Sequence, residues 1–85
     1  MVKKVTSMKE FEAFFNTIPE EATYMEVYID HPELPEAEVI RNPIANMSKK
    51  IEYYKSAYND DLTLKTYDKI RIIAVDYCFS MLKKI

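Results

Sequence analysis

Eighty-five residues with a net charge of −2, one His, one Cys and no Gly describe one small domain and remove several function classes at once. Without glycine there is neither a P-loop nor a glycine-based dinucleotide fingerprint, because both need the close backbone approach that glycine permits. One Cys closes no intramolecular disulfide and one His with one Cys makes a poor metal cage, so the marginal core of so short a chain points to a homodimer or a partner-stabilised fold.

The chain opens MVKKVTSMKEF, with no apolar run of signal-peptide length. Residues 3–5 suit a short edge strand or a frayed arm. Ser7 followed three residues later by Glu10 has the spacing of a capping box. Behind it Met8, Phe11, Phe14, Phe15 and Ile18 recur at helical spacing, which predicts a helix over 8–17, ended before Pro19.

Residues 23–30 alternate. Thr23, Met25, Val27 and Ile29 fall on one face and Tyr24, Glu26, Tyr28 and Asp30 on the other, the period of a half-buried strand. The proline-stiffened HPELPE connects it to a short second strand over 37–41, with Val39 inward, and the two can pair as an antiparallel hairpin. Asn42-Pro43 has the residue types of a helix N-cap and first helical position, so a helix is expected over 43–58. Ile44, Met47, Ile51, Tyr54 and Tyr58 form its apolar stripe, and Asn59-Asp60-Asp61 stops it. A brief strand is expected at 62–65.

Residues 70–79 are rich in β-branched and aromatic types and read as a strand with Ile73, Val75, Tyr77 and Phe79 on one face. Helical spacing of Ile70, Ile73, Tyr77 and Met81 is the rival reading for 70–82. The fold class is α+β: a small antiparallel sheet of three to four strands with two helices packed on one face. The longest aliphatic run, 72–75, is too short to span a bilayer, so the expectation is a cytoplasmic chain with no membrane contact.

Charge is sorted along the chain. Nine acids and no Lys or Arg lie between positions 10 and 38; three Lys precede them, and nine Lys/Arg against five acids follow. Such bipolarity steers association with charged partners. No catalytic motif stands out. His31 sits in a turn beside Asp30 and Glu33 but has no second His and no nucleophile at a readable spacing, and Cys78 in an apolar segment reads as a small hydrophobe. The expectation is therefore a protein that is not an enzyme and holds no cofactor or metal.

The candidate site is the outward side of the first long strand, Tyr24, Glu26, Tyr28 and Asp30, extended by Glu33, Glu36 and Glu38. Tyrosines are enriched at binding hot spots and carboxylates add steering, so this face suits a protein partner with a basic surface. The alternative is a small nucleic-acid-binding protein using Lys49, Lys50, Lys55, Lys69 and Arg71, with Lys83 and Lys84 in the same basic half and Tyr53 and Tyr58 interleaved. An isoelectric point near 5.4 argues against it. A third use of two opposite patches is self-association, closing as a dimer if symmetric.

The stretch EVIRNPIANMSKKIEYYKSAYNDDLTLK, residues 38–65, resembles short accessory proteins of phages and prophages of Gram-positive bacteria. An Asn-Pro helix start, a Lys/Tyr-rich helix, an acidic stop and a short strand carry the resemblance, over about a third of the chain. It implies a protein that binds and blocks a host or defence protein, its acidic surface occluding a basic groove.

Overall fold

The computed structural model describes residues 2–79. The elements run β1 (Lys3–Lys4), α1 (Met8–Asn16), β2 (Tyr24–Asp30), β3 (Glu38–Pro43), a 3₁₀ turn (Ile44–Asn46), α2 (Met47–Ala57), β4 (Thr63–Leu64) and β5 (Tyr67–Cys78). The fold is α+β, as expected, but the antiparallel sheet has five strands rather than three to four. Two of the five, β1 and β4, are two-residue pieces on the same edge of β5, and the order across the rest is β5-β2-β3.

Helix α1 starts where its sequence signals it. The Ser7 hydroxyl accepts from the Glu10 amide at 3.1 Å. The returning arm of the box lands one residue early, because Glu10 Oε1 accepts from the Thr6 amide at 2.7 Å. The Thr6 amide, and then the Thr6 hydroxyl at 3.1 Å, donate to the Glu10 carboxylate and hold it below the usual carboxylate range. At the other end Thr17 turns its hydroxyl back onto the carbonyls of Ala13 and Phe14, satisfying acceptors that the helix leaves open.

Helix α2 departs from expectation. Asn42 and Pro43 close β3 instead of opening a helix, and regular α-helix begins only at Met47, after the 3₁₀ turn. A residue before proline is held extended, which favours continuing the strand through Asn42. Proline is tolerated at a sheet edge because its missing N–H costs no ladder bond there. The ladder direction persists one residue further, with the Ile44 amide donating to the Thr23 carbonyl at 2.9 Å.

One core lies between the two helices and one face of the sheet. Phe11 and Phe15 of α1, Tyr54 of α2 and Tyr58 at its C-cap pack on Met25, Val27, Ile29, Ile72 and Val75. The Phe11 ring meets Phe15 and Tyr54 edge-on, at 5.2 and 5.5 Å between centroids. Burial pushes the Tyr54 phenol well above its ordinary value, and neighbouring Tyr58, Tyr53 and Glu38 add to this.

Two facings differ from expectation, both for reasons of register. Val39 points away from the core and is 47 % exposed, while Ile40 turns inward, because Ile40 pairs with Val27 and Val39 with Tyr28. On β5 the ladder slips opposite Tyr28/Ile29, so Ile72 and Val75 are buried but Ile73 is not on their face. Phe79 lies beyond the strand and is exposed. The strand reading of the C-terminal segment is correct through Cys78; Met81, Lys83 and Lys84 lie outside the described residues.

The turn after α2 carries the backbone exception among the described residues. Leu62 has φ of 71°, the left-handed region, in a residue with a Cβ. Its side chain is fully buried, its amide donates to the Asn59 carbonyl at 2.8 Å, and its carbonyl accepts from the Ile72 amide at 3.0 Å. The Asp60 carbonyl of the same turn accepts from the Met8 amide at 2.7 Å, joining the turn to the start of α1.

Candidate functional site

Alternation along β2 sends Tyr24, Glu26, Tyr28 and Asp30 to the face opposite the helices. The register then adds neighbours that linear spacing does not show. Across β3 the same face carries Val39, Arg41 and Pro43, and across β5 it carries Ala74, Asp76 and Cys78. Lys4 pairs with Ala74 and joins them from β1. No helix among the described residues covers this face.

The expected acidic surface is rebuilt by one pairing. Glu26 is only 7 % exposed. Its Oε2 accepts from Arg41 Nε at 2.9 Å and from Arg41 Nη2 at 2.6 Å. The Arg41 side chain stays 59 % exposed and its guanidinium stands 5.7 Å from the Tyr24 ring centroid. Hydrogen bonding to Glu26, and then its charge, raises the Arg41 pKa further. Glu26 is thus committed inside the fold.

Tyr28 is held protonated. Burial is the main cause of its raised pKa, followed by the negative charges of Glu26 and Asp76 and by a hydrogen bond to Glu26; Arg41 opposes them. Cys78 is half-buried, and burial followed by the Glu26 charge pushes its thiol up. That is the opposite of what an activated thiolate needs.

The seven sequence-predicted residues therefore divide three ways. Tyr24, Glu26, Tyr28 and Asp30 share one face. Glu33 and Glu36 are exposed in the β2–β3 connection, at the Asp30 end of β2. Glu38 has the register of Ile40, on the helix side, and its Oε1 lies 2.7 Å from His31 Nε2. This His–carboxylate pair ties the two ends of the hairpin loop; neither Asp30 nor Glu33 is the partner. Among the described residues no group of three or more His, Cys, Asp or Glu side chains is arranged to hold a metal ion.

The basic candidates do not form one surface. Lys49, Lys50 and Lys55 ride on α2, where Lys55 Nζ lies 3.0 Å from Glu12 Oε2 and Lys50 sits 5.8 Å from the Tyr53 ring centroid. Lys69 and Arg71 belong to β5, and Arg71, paired with Asp30, faces away from the helix layer. Arg41, Val39 and Lys4 were absent from the sequence-level candidate sets for this face. Pairing 26 with 41 across a β2–β3 hairpin is the signal that finds the first two.

Comparison with protein-family models, with curated proteins and with solved structures finds no match to this chain. No helix among the described residues is long and apolar enough to cross a membrane.

Proposed function

We propose that this is a non-enzymatic interaction protein that docks a partner protein with a basic surface against the open side of its sheet. Tyr24, Tyr28 and Val39 form the contact area, and Asp30, Glu33 and Glu36 at its end supply the electrostatic attraction. The observation that carries this reading is the sheet's uncovered face, where a 47 %-exposed Val39 adjoins half-buried Tyr28 and half-buried Tyr24 follows beyond the Glu26–Arg41 pair. Asp30, Glu33 and Glu36 make no ion pair with any described residue, so their charge is open to a partner. The resemblance of residues 38–65 to phage and prophage accessory proteins favours a blocking role toward a host or defence protein.

The engagement of Glu26 by Arg41 decides how this is tested. Charge reversal at Glu26 breaks a buried pair and confounds folding with binding, so the informative residues are the exposed ones. Capture from a Gram-positive bacterial lysate at low and high salt compares the wild type with Asp30→Lys/Glu33→Lys/Glu36→Lys, with Val39→Arg, and with Lys49→Glu/Lys50→Glu. The proposal expects one salt-sensitive protein, lost in the first two variants and kept in the third. Capture unchanged by the first two, or lost only in the third, sinks it. Sedimentation of the wild type alone separates a second copy of the chain from a foreign partner.

A further inference from the structure

On the β1 side of the same sheet face lies a groove of about 470 Å³, within the usual range of small-molecule sites. Its walls include Val2, Lys4, Thr6, Tyr28, Arg71 and Ile73. The ladder slip opposite Tyr28/Ile29 shapes its floor. Strict alternation allows only one of two successive β5 residues on a face, but here Ile73 and Ala74 both line the groove. Apolar surface therefore runs continuously between two cations, Lys4 from β1 and Arg71 from β5.

The surrounding charges are accounted for. The Glu26 carboxylate is paired with Arg41, and Asp76, opposite Glu26, is not among the lining residues although it lies two positions from Ala74 on the same face. The Thr6 hydroxyl donates to Glu10. Arg71 Nε reaches the Asp61 carbonyl at 3.4 Å, which leaves its two terminal nitrogens. Asp30, across the ladder from Arg71, and the Asp61 carboxylate are the opposing acids nearby, and neither forms an ion pair with Arg71 within 4 Å. Lys4 has no ion pair with any described residue.

We propose that this groove is a binding site for a small amphipathic anion, a carboxylate with an apolar tail. The head lies between the Lys4 ammonium and the Arg71 guanidinium, and the tail lies over Val2, Ile73 and the Tyr28 ring. Charge-assisted bonds to two cations fix the head, while the apolar floor disfavours a bare inorganic anion. The inference goes beyond the docking of a basic protein. It uses charge of the opposite sign, shares Tyr28 with that surface, and is tested separately.

The test is a titration of the ¹⁵N-labelled protein with octanoate, alongside octan-1-ol as a neutral probe of similar length. Saturable shifts centred on Lys4, Tyr28, Arg71 and Ile73 are expected, with octan-1-ol binding at least about tenfold more weakly. In Lys4→Gln/Arg71→Gln the octanoate affinity falls to that of octan-1-ol. The wild-type comparison of the two probes decides the matter even if that variant folds poorly. Absence of saturable shifts, equal affinity for acid and alcohol, or shifts centred on another surface overturns the proposal.

Discussion

The two faces of this sheet use the same strands and solve opposite problems. On the helix side, Met25, Val27 and Ile29 vanish under aromatic rings from α1 and α2. One residue out of phase, Glu26 is almost as well buried with no helix above it, because Arg41 and two tyrosines of neighbouring positions close over it. Burial on the first face rests on apolar contact and tolerates no polar group without a partner. Burial on the second rests on a single charge pair between adjacent strands. A low exposure value therefore means core on one side and a locally assembled polar cluster on the other.

The sharpest separation of the two faces comes from truncating one residue on each. Phe15→Ala should cost about 3–5 kcal/mol in urea unfolding, a large part of what so small a domain has, whereas Val39→Ala should cost under about 0.5 kcal/mol. Equal costs would mean that the open face is packed in solution.

Next in size is the charge pair. Arg41→Ala leaves a buried carboxylate without its cation and should lower the urea midpoint, by less than Phe15→Ala does because water reaches Arg41. Glu26→Gln should cost less, since the exposed guanidinium simply returns to water. A double-mutant cycle measures the coupling, and additive effects would show the pair to be incidental.

The aromatic core gives a pH signature, and Tyr28 and Cys78 on the open face, with pKa values also raised by burial, act in the same direction. Burial raises the Tyr54 pKa above the value near 10 that it has in the unfolded chain. Its contribution is thus fully present below about pH 10 and is lost as the pH climbs toward the raised value. Stability at pH 11 should be lower by about 1 kcal/mol on this account. Denaturant midpoints at pH 9, 10 and 11 check this, and Tyr54→Phe should make the profile shallower, leaving the contributions of Tyr58, Tyr28 and Cys78.

The smallest effect belongs to the helix surface. Lys55→Ala breaks the ion pair with Glu12 and should change stability by no more than about 0.5 kcal/mol, less at high salt.

Much of this architecture can be read from the chain, and the failures have identifiable physical causes. Clean alternation from Met25 to Ile29 marks β2 and its two faces. The segment 38–43 offers Val39 and Ile40 side by side, so composition cannot say which is inward; the pairing with β2 decides. The apolar run 72–75 hides its ladder slip for the same reason, since four consecutive apolar residues carry no phase. Asn42-Pro43 satisfies two rules at once, helix initiation and the extended preference before proline, and the second prevails next to an available strand. The acidic surface was legible as linear charge. Its partial cancellation was not, because Arg41 lies fifteen positions from Glu26 and meets it only across the hairpin.

Leu62 leaves its mark on how the molecule comes apart. A left-handed leucine costs roughly 1–2 kcal/mol and is held there by a side chain locked in the central core. The local bonds of the turn, from Leu62 to Asn59 and between Asn59, Asp61 and Thr63, are thus supplemented by the core in holding Leu62 left-handed. Slow amide exchange at Leu62 and Ile72 should then follow the global unfolding free energy, while β1 and the β2–β3 loop open on their own. In a chain without a single glycine, the one left-handed residue among those described belongs to the same cooperative unit as the interior.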